Sequence, residues 1–218
     1  MFIGHFAVAF AAKKVAPRAS LGTLVLSAQF LDLLWPMFLL IGAEHVRIDP
    51  GNTAFTPLDF YDYPISHSLL TTVGWAVILG GIYYILKRDA RTSLVLYGLA
   101  VSHWMLDALT HRPDLPLLPW FDAMVGLGLW ESVAWTVVTE LLLLAGGVML
   151  FLGVRKAEGR PAGMFFWSYV AFLAFVWAAN IFGPPPPSED AIGIVGMSMW
   201  LLVAWAYWID RRPLTEGS

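Results

Sequence analysis

Apolar residues run in stretches of about 20 along this chain, long enough for a helix to cross a bilayer, and polar residues collect between them. Six such stretches stand out, at about 19–42, 64–86, 92–110, 129–154, 161–182 and 190–209. The opening segment, 1–16, is apolar but covers only about 22–24 Å as a helix. It predicts a short span or a re-entrant helix. It does not read as a signal peptide, because Lys13 and Lys14 follow the apolar run and His5 interrupts it. Four prolines at 184–187 break the helical pattern between the last two stretches. No strand alternation, internal repeat or soluble domain is visible. The pattern therefore predicts an all-α polytopic membrane helix bundle. It has six long transmembrane helices plus the short N-terminal one, and residues 1–218 form a single integral membrane domain.

Composition agrees with that reading. Hydrophobic residues make up 58% of the 218 and charged residues only 13%, against about 25% in a typical soluble domain. The mean hydropathy is +0.67. A soluble enzyme, a disordered chain and a nucleic-acid binder driven by basic charge are excluded, the last also by the net charge of −3. The absence of cysteine removes disulfides and thiolate metal sites. Any polar chemistry falls to five histidines and a few carboxylates.

The basic residues set an orientation. Eleven of the 13 lie at alternate ends of the apolar stretches: Lys13, Lys14 and Arg18; Lys87, Arg88 and Arg91; Arg155, Lys156 and Arg160; Arg211 and Arg212. The intervening connections hold only Arg47 and Arg112, beside Glu44, Asp49, Asp59, Asp62, Asp114, Asp122 and Glu189. By the positive-inside rule the basic ends and the C-terminus are cytoplasmic, and the acidic connections face out of an inner (cytoplasmic) membrane. The outer connection at 42–63 is about 20 residues long, unusual for a linker without a role. It is expected to fold compactly over the outer mouth of the bundle. The 11 tryptophans and 7 tyrosines suit an interfacial belt.

Ionisable groups at membrane depth are costly and mark functional sites. Asp32 interrupts the first long stretch, His67 opens the second, His103 and Asp107 lie in the third, and Glu140 interrupts the fourth. At 1.5 Å per residue, His67 and Asp107 fall within roughly 5 Å of the outer boundary, His103 about 10 Å deep and Asp32 about 15 Å deep. His5 joins them in the outer half if the first segment enters from outside. His103 and Asp107 are spaced i, i+4 and share a helix face, a spacing at which two ligands grip one ion. His5, Asp32, His67, His103 and Asp107 are thus the metal-ligand candidates, and imidazole plus carboxylate suits zinc, with manganese or iron as alternatives. Each residue also has a structural reading as a helix-end anchor or a packing hydrogen bond. His45 and His111 read as loop residues.

These motifs resemble the YdjM-like family of inner-membrane metal-dependent hydrolases. The matching positions are Gly4-His5, Asp32, Ser66-His67-Ser68, and His103 through Asp107 with Thr110 and Pro116. The likeness covers about the first 120 residues. Gln29 stands where the family's earlier aspartate is expected, and Asp62-Tyr63-Pro64 replaces its His-Arg-Gly. The resemblance implies a metal-dependent hydrolase.

Three functions follow for comparison. The first is a membrane-embedded hydrolase open to the outer leaflet, acting on a lipid-like (phospho)ester, with Asp62 or Glu140 as the carboxylate that accepts a proton from water. Its partners would be membrane lipids and an amphipathic substrate. The second is a transporter or channel, which needs polar groups continuing to the cytoplasmic side. The third is a scaffold, in which the histidines need not converge. Oligomeric state is open on the sequence.

Overall fold

The structure is a computed structural model, and it describes residues 1–211. Helix α1 (Ile3–Ala12) leads to α2 (Leu21–Ala28) and α3 (Phe30–Leu40). A hairpin of β1 (His45–Ile48) and β2 (Leu58–Asp62) precedes the single turn α4 (Pro64–His67), then α5 (Leu69–Lys87) and α6 (Ala90–Thr110). A second strand pair, β3 (Leu115–Pro116) and β4 (Met124–Val125), and a 3₁₀ turn (Leu129–Glu131) lead into α7 (Val133–Ala157). Helices α8 (Met164–Phe182), α9 (Glu189–Met197) and α10 (Met199–Arg211) complete the described chain. Arg212 and Ser218, on which the expected cytoplasmic C-terminus partly rests, lie outside the described residues.

The helix starts are chemically marked. Ser20, Ser68, Asp89, Ser132 and Ser188 each accept a hydrogen bond from the backbone N–H three residues on. Each satisfies one of the donors that a helix N-terminus leaves without an intrahelical partner.

Four helices are long and apolar enough to cross a membrane: Leu69–Lys87, Val133–Ala157, Met164–Phe182 and the run Glu189–Asp210. Helices α2 and α3 make a fifth if the pair, bent by 56° at Gln29, is counted as one broken span. The chain is thus mostly helical and suited to a membrane, but with four or five such spans instead of six. The missing one is the stretch at 92–110. Its helix, α6, has 21 residues, but it buries Ser93, His103, Asp107 and Thr110 on its inner face and is too polar to qualify. The stretch at 64–86 is also divided, because Ser68 adopts an extended backbone that separates α4 from α5.

Two short strand pairs lie in the connections and leave the all-α fold class intact. Strands β1 and β2 pair antiparallel, with His45 opposite Asp62 and Arg47 opposite Asp59. At four and five residues they are too short to display alternation, and charge pairs across the hairpin fasten them: Arg47 Nη2 to Asp59 Oδ2 at 2.5 Å and His45 Nδ1 to Asp62 Oδ2 at 2.7 Å.

Helix α1 lies in the centre. Eight of its ten residues are buried, and Phe6, Ala9 and Phe10 join Leu24, Val25, Leu144, Phe151 and Tyr169 in the main apolar core. Contact with α7 is intimate because Gly147 has no side chain: a Cβ there would collide with the Ala7 carbonyl. We expect Gly147→Ala to destabilise the protein by about 1–3 kcal/mol through overpacking. A thermal melt in detergent, compared with Gly146→Ala, where a Cβ meets open space, checks this.

Candidate metal centre

Four elements bring ligating side chains to one point. Helix α1 supplies His5, α3 supplies Asp32, α4 supplies His67 and α6 supplies His103 and Asp107. His103 and Asp107 meet as the i, i+4 spacing requires, with Nε2 3.1 Å from Oδ2. The other oxygen of Asp107 lies 3.1 Å from His5 Nε2. Asp32 Oδ1 stands 3.5 Å from His67 Nε2 and 3.6 Å from His103 Nε2. The His5 and His103 rings stack with centroids 3.6 Å apart. Two ligand triads result, His5–His103–Asp107 and Asp32–His67–His103, each with its atoms within 4.8 Å of one another. His103 belongs to both. The amine of Met1 also contacts Asp107, at 2.8 Å.

Breaks in the helices create this convergence. At Gln29 the chain leaves α2, and the Ala28 carbonyl accepts a hydrogen bond from His103 Nδ1 at 2.7 Å. A carbonyl only accepts, so Nδ1 carries the proton. In the neutral ring Nε2 therefore presents a lone pair to the site. At His67 a relay does the same. Glu44 Oε2 accepts from the Ser66 hydroxyl at 2.6 Å, which spends that hydroxyl's one proton. Ser66 Oγ must then accept from His67 Nδ1 at 2.7 Å, leaving His67 Nε2 as the ligand atom. Glu44 is itself fixed by the backbone N–H groups of Ile65 and Ser66, both at 2.7 Å. Burial pushes its carboxyl above the ordinary glutamate range, against those hydrogen bonds.

The donor set fits a divalent cation. The Nε2 atoms of His67 and His103 and the carboxylates of Asp32 and Asp107 present lone pairs to one another, and His5 Nε2, which hydrogen-bonds Asp107 Oδ1 at 3.1 Å, joins them as a ligand when its proton is on Nδ1. His103 Nε2 is buried without a hydrogen-bond partner among the described residues. Acceptors crowded like this need positive charge between them, and a metal ion satisfies all of them together. Access is from one direction: the Asp32 side chain is 25% exposed, while those of His5, His67, His103 and Asp107 are 5% or less.

Other candidates lie elsewhere. Asp62 sits in β2 with its side chain 43% exposed and paired to His45, and it belongs to neither ligand triad. Glu140 on α7 is buried, and its Oε2 accepts from the N–H groups of Phe2 at 3.1 Å and Gly4 at 3.2 Å, serving as the cap of α1. Neither is positioned as part of the ligand cluster. His111 ends α6 and bonds Asp114 and the Tyr63 hydroxyl. Gln29 is buried with its amide unpartnered among the described residues. The hairpin folds over this end of α6: Phe60 packs on His111 and Trp130, and Asp59 receives Arg112. Glu44 and Ser66 were the residues that motif reading missed as a supporting pair. Ser66 stands inside the Ser-His-Ser motif, but nothing about a lone loop glutamate signals burial.

We expect Ser66→Ala, which frees His67 Nδ1 from its acceptor, to weaken metal affinity by about 10–100-fold while leaving the fold intact. Competition with a chromophoric chelator measures this. Unchanged affinity would mean that the relay does not orient His67.

No family model, curated protein or solved structure matches this chain. A functional reading therefore rests on the geometry of the centre and on its place in an apolar bundle.

Proposed function

We propose that the chain is an integral membrane metal-dependent hydrolase of the YdjM-like kind, acting on an amphipathic (phospho)ester. The observation that carries the reading is the convergence of three histidine Nε2 atoms and two carboxylates from four helical elements at one point. A scaffold has no need of that convergence. A transporter needs a polar path through the bundle. Between the centre and the basic end, however, the interior is filled by Phe6, Phe10, Leu24, Val25 and Tyr169.

In this reading His5, His67, His103, Asp32 and Asp107 hold the ion, with zinc the first choice. The ion supplies Lewis acidity and an activated water near neutral pH. The chain's own residues do the rest. Ala28 and the Glu44–Ser66 pair fix the ring tautomers. Asp32, the most exposed of the ligands, marks where substrate approaches. Asp107, held among His5, His103 and the Met1 amine, anchors the buried side. The proton acceptor is a carboxylate oxygen facing that open side, and Asp32 meets the geometric requirement better than Asp62 or Glu140. With the basic ends cytoplasmic, the centre faces the outer leaflet, and a lipid-like substrate reaches it laterally.

The test is elemental analysis of purified protein together with hydrolysis of a short-chain phospholipid and an isoprenyl phosphate. Wild type should carry a divalent metal and release product. His103→Ala should lose the metal, and Asp32→Asn should lower turnover by about 100-fold or more. A chelator should also lower the melting temperature, because an ion at about 100 times its Kd stabilises by about 2.7 kcal/mol. Metal-free wild type with a chelator-insensitive melt sinks the centre. Metal retention without hydrolysis of either ester sinks the hydrolase.

A further inference from the structure

The opposite end of the bundle holds a second polar site that the metal centre does not use. A cavity of about 410 Å³ is lined by Lys13, Arg18, Arg155, Arg160, Glu158 and Asp210, with small backbone segments between them. It is remote from the metal centre. On α7, Glu140 and Arg155 are 15 residues apart, about 22 Å along the axis. The apolar core lies between the two ends.

The lining carries more cations than carboxylates, and the ion pairs between them are long. Lys13 is 5% exposed; its ammonium donates to the Ala19 carbonyl at 2.6 Å and reaches Asp210 at 3.4 Å. Arg155 is 7% exposed, yet its nearest carboxylate oxygens, on Asp210 and Glu158, are 3.8 and 3.9 Å away. Those distances lie beyond hydrogen-bond reach. The buried guanidinium, with five donors, therefore makes no hydrogen bond to either carboxylate. Asp210 accepts from the Leu21 N–H through one oxygen, while its other oxygen is buried without a hydrogen-bond partner. Arg18 and Arg160 enter no ion pair among the described residues.

The geometry points to a phosphate-binding site, separate from the metal centre, in this cavity. Four cations against two carboxylates leave an excess of two positive charges, which matches a phosphate dianion. The planar fork of Arg155 suits phosphate oxygens. The Asp210 oxygen without a hydrogen-bond partner calls for a donor, and a hydroxyl on the alcohol part of the ligand provides one. The volume is larger than a bare phosphate needs and falls within the range of small-ligand pockets. The cavity also sits where α7 and α10 end, at the level where a bilayer presents its headgroups. The phosphate can come from a lipid headgroup or from a free phosphomonoester.

Full-length protein in phosphatidylcholine nanodiscs separates these sources. One arm titrates inorganic phosphate and glycerol 3-phosphate by equilibrium dialysis. The other dopes the nanodiscs with phosphatidic acid and counts retained lipid by native mass spectrometry. Saturable binding in either arm is expected, and the arm that binds identifies the source. The double variant Arg18→Gln/Arg160→Gln leaves the buried Lys13 and Arg155 in place and should weaken binding at least about tenfold without altering metal content. Lys87→Gln/Arg91→Gln removes the same charge from exposed positions outside the cavity and should change binding less than about twofold. Absence of saturable binding in both arms overturns the proposal. So does an equal loss in the two double variants, which would show only a general surface field.

Discussion

Two aspartates set among apolar helices, Asp107 buried and Asp32 partly exposed, impose the constraint from which the rest follows. An unpaired aspartate at membrane depth costs roughly 2.5–3.5 kcal/mol on insertion scales. Asp32 and Asp107 share the same small volume, where their charges also repel. Three imidazoles surround them, and each ring is oriented by a fixed partner or a stacked neighbour. The departures from regular helix sit where this arrangement needs them. The bend at Gln29 brings the Ala28 carbonyl to His103. The extended Ser68 separates α4 from α5, so that the single turn carrying His67 can point inward.

The same constraint shows why one long helix is polar on one side. Helix α6 supplies two of the five candidate ligands and stands against α1, α2 and α5. Its Thr92, Ser93, His103, Asp107 and Thr110 are buried in protein, where hydrogen bonds and charge partners compensate them. Helices α5, α7 and α8 each also carry large apolar side chains on an outward face, as Ile85, Leu142 and Phe175 illustrate.

Much of the site was legible in the residues alone. The i, i+4 spacing of His103 and Asp107 placed both on one face without any knowledge of the fold. The serines and the aspartate that begin helices are local signals, and Ser20, Ser68, Asp89, Ser132 and Ser188 act as such. What escaped was non-local. The apolar stretch at 19–42 does not show that Gln29 bends it, because nothing in the sequence reveals the distant imidazole that uses the freed carbonyl. Glu140 looked like a free carboxylate because its partners are backbone N–H groups far away in the chain. Glu44 looked like one acidic loop residue among several, and only tertiary burial against Ser66 distinguishes it.

That attachment of α1 to Glu140 bears on how the protein is made. The N–H groups of Phe2 and Gly4 find their acceptor 138 and 136 residues further along the chain. With ten residues, α1 extends only about 15 Å and cannot cross a bilayer unaided. The acceptor that caps α1 therefore does not exist until α7 has been synthesised. His5 rides on α1, so one member of the His/Asp cluster is held by a helix whose cap lies on α7, far along the chain from the other four.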